Sequence, residues 1–274
     1  MKYILAPVDF SPVSRTAAFY GAHMAASMNI DLHLLHVVQL PVVYGDVPVP
    51  TGSYDVVIEE GKAEIAKIAL ELNTALQSQV NIHTEVKLGS PVHELLEMAR
   101  HGKPYAIVMG TQGAGAVERF FLGSTTLATV EEAPCPVIVV PPGYQFAGVH
   151  KMGLACDFKN VVERIPEKTI NHLLDDFGAK LEIVHANPDY VEFEPATIEE
   201  EVLVDTMFER HKAKFHFLHS GYTEESIMEF VAKEKIDILI VIPKHRGFFQ
   251  SMFAHHHTRE FVLKATVPVM VLHS

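Results

Sequence analysis

The fold is decided by the stretch AIVMGTQGAGAVERFFLGSTTLATV, residues 106–130. Its apolar start predicts a buried strand, its glycines predict a loop, and Ser124-Thr125 before an amphipathic run predicts the start of a helix. Backbone N–H groups at a helix N-terminus carry partial positive charge, and glycine allows close approach to a phosphate. The stretch therefore indicates nucleotide binding. The alternative is a glycine-rich connection that only packs a helix on a strand.

An internal repeat relates the two halves of the chain. Five segments of the first half recur in the same order in the second: 4–10 as 152–158, 32–37 as 181–186, 88–90 as 219–221, 106–109 as 238–242, and 133–140 as 265–272. Such self-similarity predicts a tandem duplication with a join near residues 142–150. We therefore predict two domains, 1–145 and 146–274, the second being a degenerate copy of the first.

The apolar runs predict a parallel sheet in each half. They are short and continuous rather than alternating, which is typical of parallel strands buried on both faces, and amphipathic stretches separate them. Each half is expected to alternate strands with single helices in a doubly wound, flavodoxin-like α/β domain. Ligands of such sheets bind beyond the carboxyl ends of the strands. Asp9, Val37 and the glycine loop all follow strands, so we expect them at one edge.

Composition limits the class of protein. The chain has 274 residues, 48% of them hydrophobic, and a net charge of −12. The acidic balance argues against non-specific nucleic-acid binding, which needs clustered Lys and Arg. Two cysteines, Cys135 and Cys156, are too few for a disulfide framework and fit a reducing compartment. No apolar run approaches the ~18 residues of a membrane span. A soluble, cytoplasmic protein is expected.

Taken in order, these motifs resemble the universal stress protein family in its tandem two-domain form. The resemblance implies an adenine-nucleotide site in which Asp9 contacts the ribose or adenine edge and Val37 offers backbone groups to adenine. Glycines and hydroxyls would cradle the phosphates. The full implied set is Pro7, Val8, Asp9, Val37, Met109, Gly110, Gln112, Gly113, Gly123, Ser124 and Thr125. The implied ligand is ATP, with Mg²⁺, although ADP, AMP or cyclic AMP would suit the same features. Asp9 could alternatively cap the following helix.

The expected role is regulatory rather than enzymatic. No lysine follows Gly123 as in a Walker loop, so charge compensation must come from the backbone, a metal ion or Arg119, and hydrolysis should be slow or absent. The resemblance implies a stress-response protein whose nucleotide state alters conformation or partner binding. Two alternatives are a slow ATPase or nucleotidyl enzyme and a nucleotide-independent interaction scaffold.

The second half departs from the phosphate motif. His255-His256-His257 stands where Gly123-Ser124-Thr125 would align, and Pro243 removes a backbone donor. This half should be structural or bind another ligand. His245, His255 and His257 are candidate zinc ligands, with a solvated loop or an anion contact as the alternatives. The closing strands at 136–140 and 268–272 are expected to pair the halves as an intrachain pseudo-dimer, with a homodimer possible and protein partners unknown.

Overall fold

The chain forms two units, Met1–Phe146 and Ala147–Ser274. A computed structural model describes residues 2–39, 52–111, 122–187, 195–219, 223–243 and 265–273. The assignment of 1–145 and 146–274 to two domains of the universal-stress type stays a prediction.

The first unit alternates strands and helices, as the sequence predicts. Its elements are β1 (Tyr3–Pro7), α1 (Pro12–Met28), β2 (Asp31–Val38), α2 (Gly52–Ala75), β3 (Ile82–Leu88), α3 (Pro91–Gly102), β4 (Ala106–Gly110), α4 (Ser124–Glu132) and β5 (Val137–Val140). The strands lie in the order β3-β2-β1-β4-β5, and the pairs within this unit are parallel.

The central strands of this sheet are buried on both faces. Every residue of β4 and β5 is buried, and Ile4, Leu5 and Ala6 of β1 have no exposed surface. Helices cover both faces of such a sheet, so both side-chain directions along a strand are apolar. The continuous apolar runs of the sequence have this cause. The predicted doubly wound α/β class is confirmed.

Local chemistry sets the ends of α1. Ser11 is the N-cap and its Oγ accepts a hydrogen bond from the Ser14 amide at 3.2 Å, while Pro12 occupies the first turn, where its missing N–H costs nothing. Asn29 ends the helix in the left-handed conformation, and its amide bonds back to carbonyls of the last turn. These signals are visible in the sequence.

The second unit repeats the pattern. Its described elements are β6 (Lys151–Ala155), α5 (Val161–Arg164), α6 (Glu167–Phe177), β7 (Lys180–Asn187), α7 (Pro195–Met207), β8 (Lys214–His219), α8 (Thr223–Glu234), β9 (Ile238–Val241) and β10 (Val269–Val271). The strand order is β10-β9-β6-β7-β8, again with parallel pairs. A short 3₁₀ helix, Glu209–His211, follows α7.

The second unit departs from the predicted single helix between its first two strands. Two helices, α5 and α6, replace it, and Ile165 and Pro166 separate them. A proline disfavours helical conformation in the residue before it and supplies no amide for a helical hydrogen bond. Val161 and Ile170, one from each piece, are still buried, so both pieces contribute to the core.

Candidate functional site

The strand order of the first unit places a crevice beside the end of β1. The chain passes from β1 to β2 and β3 on one side and continues through β4 and β5 on the other. Helices on opposite faces diverge where the strand order reverses, leaving a crevice beyond the carboxyl ends of the strands. In this unit that point lies between β1 and β4, next to Asp9 and Thr111.

Asp9 is held in a short network of serines directly after β1. Its Oδ1 accepts hydrogen bonds from the Ser11 amide at 3.1 Å and the Ser11 hydroxyl at 2.6 Å, and its own amide donates to the Ser14 hydroxyl at 3.3 Å. The residue itself is exposed. Because Ser11 is the N-cap of α1, the alternative that Asp9 caps this helix is wrong. The carboxylate is therefore fixed in orientation and open to solvent.

Gly110 ends β4 in close contact with the first turn of α1. A Cβ at this position would lie 2.6 Å from Cγ1 of Val13 and 3.0 Å from the Val13 carbonyl oxygen. No side chain fits there unless the backbone moves. Packing against α1 therefore requires glycine at position 110, whether or not this residue also lines a ligand site.

The N-terminus of α4 lies at the end of β4 and has no side-chain cap. Its N-cap is Gly123, which has no side chain to offer the first-turn N–H groups. The Gly123 amide donates to the Thr111 carbonyl at 2.8 Å, and the Thr126 hydroxyl donates to the Gly110 carbonyl at 2.9 Å. Ser124 at the first helical position is exposed. The helix start is thus fixed beside the crevice, and its N-cap residue leaves the first-turn N–H groups without a side-chain acceptor of its own.

The structure places most of the implied site residues at this edge. Pro7, Asp9 and Val37 lie at the ends of β1 and β2, and Gly110, Gly123, Ser124 and Thr125 lie at the end of β4 and the start of α4. The side chains of Val8 and Met109 are 3% and 4% exposed, so they belong to the core. Gln112 and Gly113 lie outside the described residues, as does Arg119.

Sequence reasoning missed the link between the serines and Asp9. In the sequence, Ser11 or Ser14 is a candidate cap for the first helix, whereas in the structure Ser11 is the cap and both serines bond Asp9. The spacing Asp-x-Ser-x2-Ser was the available signal, because an aspartate side chain often accepts from the amide two residues later.

At the equivalent edge of the second unit, side chains of the protein contact the turn that follows β6. Asp157 follows β6 as Asp9 follows β1, but its Oδ2 faces Nη1 of Arg164 at 3.4 Å. The Glu200 carboxylate, from α7, accepts hydrogen bonds from the amides of Asn160 and Val161 at 3.1 and 2.8 Å. An acidic side chain of the protein therefore accepts from two amides at the start of α5.

Neither cysteine has the character of a reactive thiol. Burial raises the pKa of Cys135 and that of Cys156 to about 12, and both lack a disulfide partner. A thiol with so high a pKa is almost entirely protonated near neutral pH and a poor nucleophile.

The candidate zinc ligands are His245, His255 and His257, and all three lie outside the residues that the structure describes. Within those ranges, no group of three or more His, Cys, Asp or Glu side chains is arranged to hold a metal ion. Nor does any helix there have the length and apolar character needed to cross a membrane.

Comparison with known proteins gives the following matches. Residues 1–141 match the model of the universal stress protein family. A universal stress protein of Methanocaldococcus jannaschii, MJ0531, is 34% identical over 143 residues, covering 51% of this chain and 81% of that protein. One from Mycobacterium bovis, Mb2028c, is 32% identical over 50% of this chain and 47% of its own.

Among solved structures, a universal stress protein from Archaeoglobus fulgidus matches the whole chain. The match covers 99% of this chain and 96% of the other, with a TM-score of 0.72 and 18% identity, and it shows a common fold. A universal stress protein solved in complex with cAMP covers 52% of this chain and 98% of its own, at 22% identity and a TM-score of 0.40.

Proposed function

Because this chain belongs to the universal stress protein family, we propose that its first unit binds an adenine nucleotide, ATP before others, as a regulatory ligand. The observation that carries the proposal is the pairing of two features at the ends of adjacent strands. Asp9 presents an oriented, exposed carboxylate after β1, and α4 presents an uncapped N-terminus after β4. A nucleoside phosphate needs both, an acceptor for sugar hydroxyls and donors for phosphate oxygens.

Each end of the ligand has a matching group in this proposal. The Asp9 carboxylate accepts from the ribose hydroxyls, and the backbone near Val37 faces the adenine. The first-turn amides of α4 and the hydroxyls of Ser124 and Thr125 donate to the phosphates. Gly113, outside the described residues, would let the loop backbone approach the phosphates.

Magnesium fits the same proposal as a companion of the phosphates. Mg²⁺ prefers oxygen ligands, keeps several waters and is bound mainly through substrate phosphates. The hydroxyl of Ser124, an exposed residue at the start of α4, could join its coordination. The ion would offset phosphate charge that a Walker lysine neutralises in other nucleotide-binding loops.

A regulatory role is favoured over catalysis because the site's protein groups bind rather than activate. In this proposal Asp9, whose Oδ1 accepts from the Ser11 hydroxyl, lies at the ribose and not beside the phosphates, where a general base for hydrolysis would be needed. The second unit, whose equivalent edge is filled by Arg164 and Glu200, is proposed to be structural or to bind a different ligand.

The test is calorimetric titration of ATP with Mg²⁺ into the full chain. We expect about one ATP per chain for the wild type and no measurable heat for the double variant Gly113→Val/Gly123→Val. Asp9→Asn should bind about tenfold more weakly, since it loses a charged acceptor. Asp157→Asn, the matched change in the second unit, should bind like the wild type.

Two outcomes would change the conclusion. Absence of binding by the wild type, repeated with a fluorescent ATP analogue, would remove the nucleotide proposal and favour an interaction scaffold. Multiple-turnover hydrolysis of radiolabelled ATP faster than about once per minute would favour an enzyme, although typical enzymes turn over far faster. Parallel titrations with ADP, AMP and cyclic AMP would rank the ligands.

A further inference from the structure

The imidazole of His36 contacts both chain neighbours of Asp9. Its Nδ1 lies 2.8 Å from the carbonyl oxygen of Val8, and its ring centroid lies 4.2 Å from that of Phe10. On its third side is the backbone of α2, where a Cβ on Gly61 would lie 3.1 Å from the His36 Cδ2. The ring is therefore held between the Asp9 turn and a helix.

The hydrogen bond to Val8 fixes the tautomer of His36. A carbonyl oxygen only accepts, so Nδ1 carries the proton and donates it. The Val8 amide in turn donates to the Leu35 carbonyl at 2.8 Å. Two consecutive residues of β2 thus hold the N–H and the C=O of Val8, the residue that precedes Asp9.

Phe10, the residue that follows Asp9, has a sparsely populated backbone conformation. Its φ is +65°, in the left-handed region that bulky side chains rarely adopt. Such a conformation persists only where the surroundings hold it. Phe10 is half-buried, and the His36 ring is its aromatic contact among the described residues. The His36 ring is therefore one of the groups that surround this turn and can hold it.

In the second unit too, a histidine contacts both chain neighbours of the aspartate that follows the first strand. The His185 Nδ1 donates to the Cys156 carbonyl at 2.9 Å, and the ring of Phe158, at φ +48°, lies 5.2 Å from the His185 ring. There the intervening acid, Asp157, faces Arg164. The duplication supplies an internal control, because both turns have the histidine contact, while Asp157 has an arginine partner and is less exposed than Asp9.

We propose that His36 is a positioning residue of the nucleotide site: by clamping Val8 and Phe10, it fixes the direction in which the Asp9 carboxylate meets the ligand. The inference rests on the proposed function. His185, in contrast, stabilises its turn and has no effect on nucleotide affinity.

The experiment compares His36→Ala, His36→Asn, His36→Gln and His185→Ala in the full chain, with ATP–Mg²⁺ titrated by calorimetry and the midpoint of thermal unfolding recorded for each. The Asn amide nitrogen lies close to the position of Nδ1, whereas the Gln amide reaches towards that of Nε2. We expect His36→Ala and His36→Gln to weaken ATP binding about tenfold, equivalent to ~1.4 kcal/mol. His36→Asn keeps the donor to Val8 but loses the ring that contacts Phe10, so it should weaken ATP binding by only about threefold, less than His36→Gln.

The outcomes separate positioning from general stability. His185→Ala should lower the unfolding midpoint as His36→Ala does, yet bind ATP with wild-type affinity. The inference is overturned if His36→Ala binds like the wild type, if Asn and Gln weaken binding equally, or if His185→Ala weakens it as much. It also falls, together with the proposed function, if the wild type binds no nucleotide. Wild-type binding with unaffected His36 variants removes the inference alone.

Discussion

The turn after β1 and the turn after β6 have similar backbone hydrogen bonds but different side chains. The Val8 amide donates to a carbonyl of the neighbouring strand at 2.8 Å, and the Cys156 amide does the same at 3.0 Å. Each turn also contains a phenylalanine with positive φ. In the first, Asp9 is oriented by two serines and exposed; in the second, Asp157 faces an arginine. The duplicated fold has kept its turn and changed the chemistry around it.

The comparison shows which part of a strand-end site belongs to the fold. The backbone ladder and the histidine clamp recur in both units, so they build the turn whether or not a ligand binds. A few side chains decide which groups a ligand can reach. In the first unit the turn is followed by the small Ser11, and in the second unit the longer Arg164 and Glu200 contact the turn and the start of α5. Open and closed edges therefore need no difference in topology.

The largest expected effect comes from a methyl group at the end of β4. Gly110→Ala would place a Cβ 2.6 Å from Cγ1 of Val13 and 3.0 Å from its carbonyl oxygen, so α1 must move. Overpacking of this kind should lower the free energy of unfolding by about 2–3 kcal/mol. Urea unfolding would measure it, and ATP affinity should fall with it.

A glycine in the second unit provides the matched control. In Gly153→Ala the nearest atom to the new Cβ would be Cδ1 of Leu239, the end of a flexible side chain, at 3.0 Å. We expect a loss of about 1 kcal/mol or less, because alanine also restricts the unfolded chain. Equal losses in the two variants would show that the contact between β4 and α1 relaxes easily.

Substitutions that remove the helix-start contacts of Ser11 and Glu200 should have an intermediate effect on the free energy of unfolding. They also separate an effect on stability from an effect on ATP binding. Ser11→Ala removes the cap of α1 and a donor to Asp9, and Glu200→Ala removes the acceptor for the Asn160 and Val161 amides. Each should cost about 1 kcal/mol of unfolding free energy. Only Ser11→Ala should also weaken ATP binding, by a few fold.

Glu199→Ala, on the exposed side of α7, is the control for the caps and should stay within about 0.5 kcal/mol of the wild type. If Glu200→Ala behaved like Glu199→Ala, its carboxylate would not hold α5. If Ser11→Ala left ATP affinity unchanged, the serine network would have no part in presenting Asp9.

The sequence could predict what depends on local pattern. The parallel strands follow from continuous apolar runs, and the start of α1 follows from Ser11 and Pro12. Contacts between distant segments could not be predicted. Glu200 lies 40 residues from Asn160, and nothing in the intervening sequence indicates that its carboxylate covers that amide. Pro166 is the local signal for the break between α5 and α6, whereas the repeat pattern by itself predicts a single helix there.

The smallest expected effect concerns His33, which lies on β2 but points to the opposite face of the sheet from His36. In the first unit His33 lies with its ring centroid 4.5 Å from that of His83; its repeat counterpart is Glu182, which is 1% exposed and accepts from the His216 Nε2 at 2.8 Å. Burial lowers the pKa of His33, and the nearby His83 lowers it further, against the opposing pull of Asp31 and Glu85.

This shift sets the sign of a pH effect. The native state binds the His33 proton less readily than the unfolded chain, whose histidines titrate near ~6.5, so the free energy of unfolding falls as the pH drops through that value. Between pH 7.5 and 5.5, His33→Gln should therefore lose slightly less stability than the wild type in urea unfolding. His172→Gln, a change at an exposed residue of α6, should follow the wild type. Parallel pH profiles for His33→Gln and the wild type would mean that His33 and His83 add no acid sensitivity to the first unit. This pair would then differ from Glu182 and His216 of the second unit in composition alone.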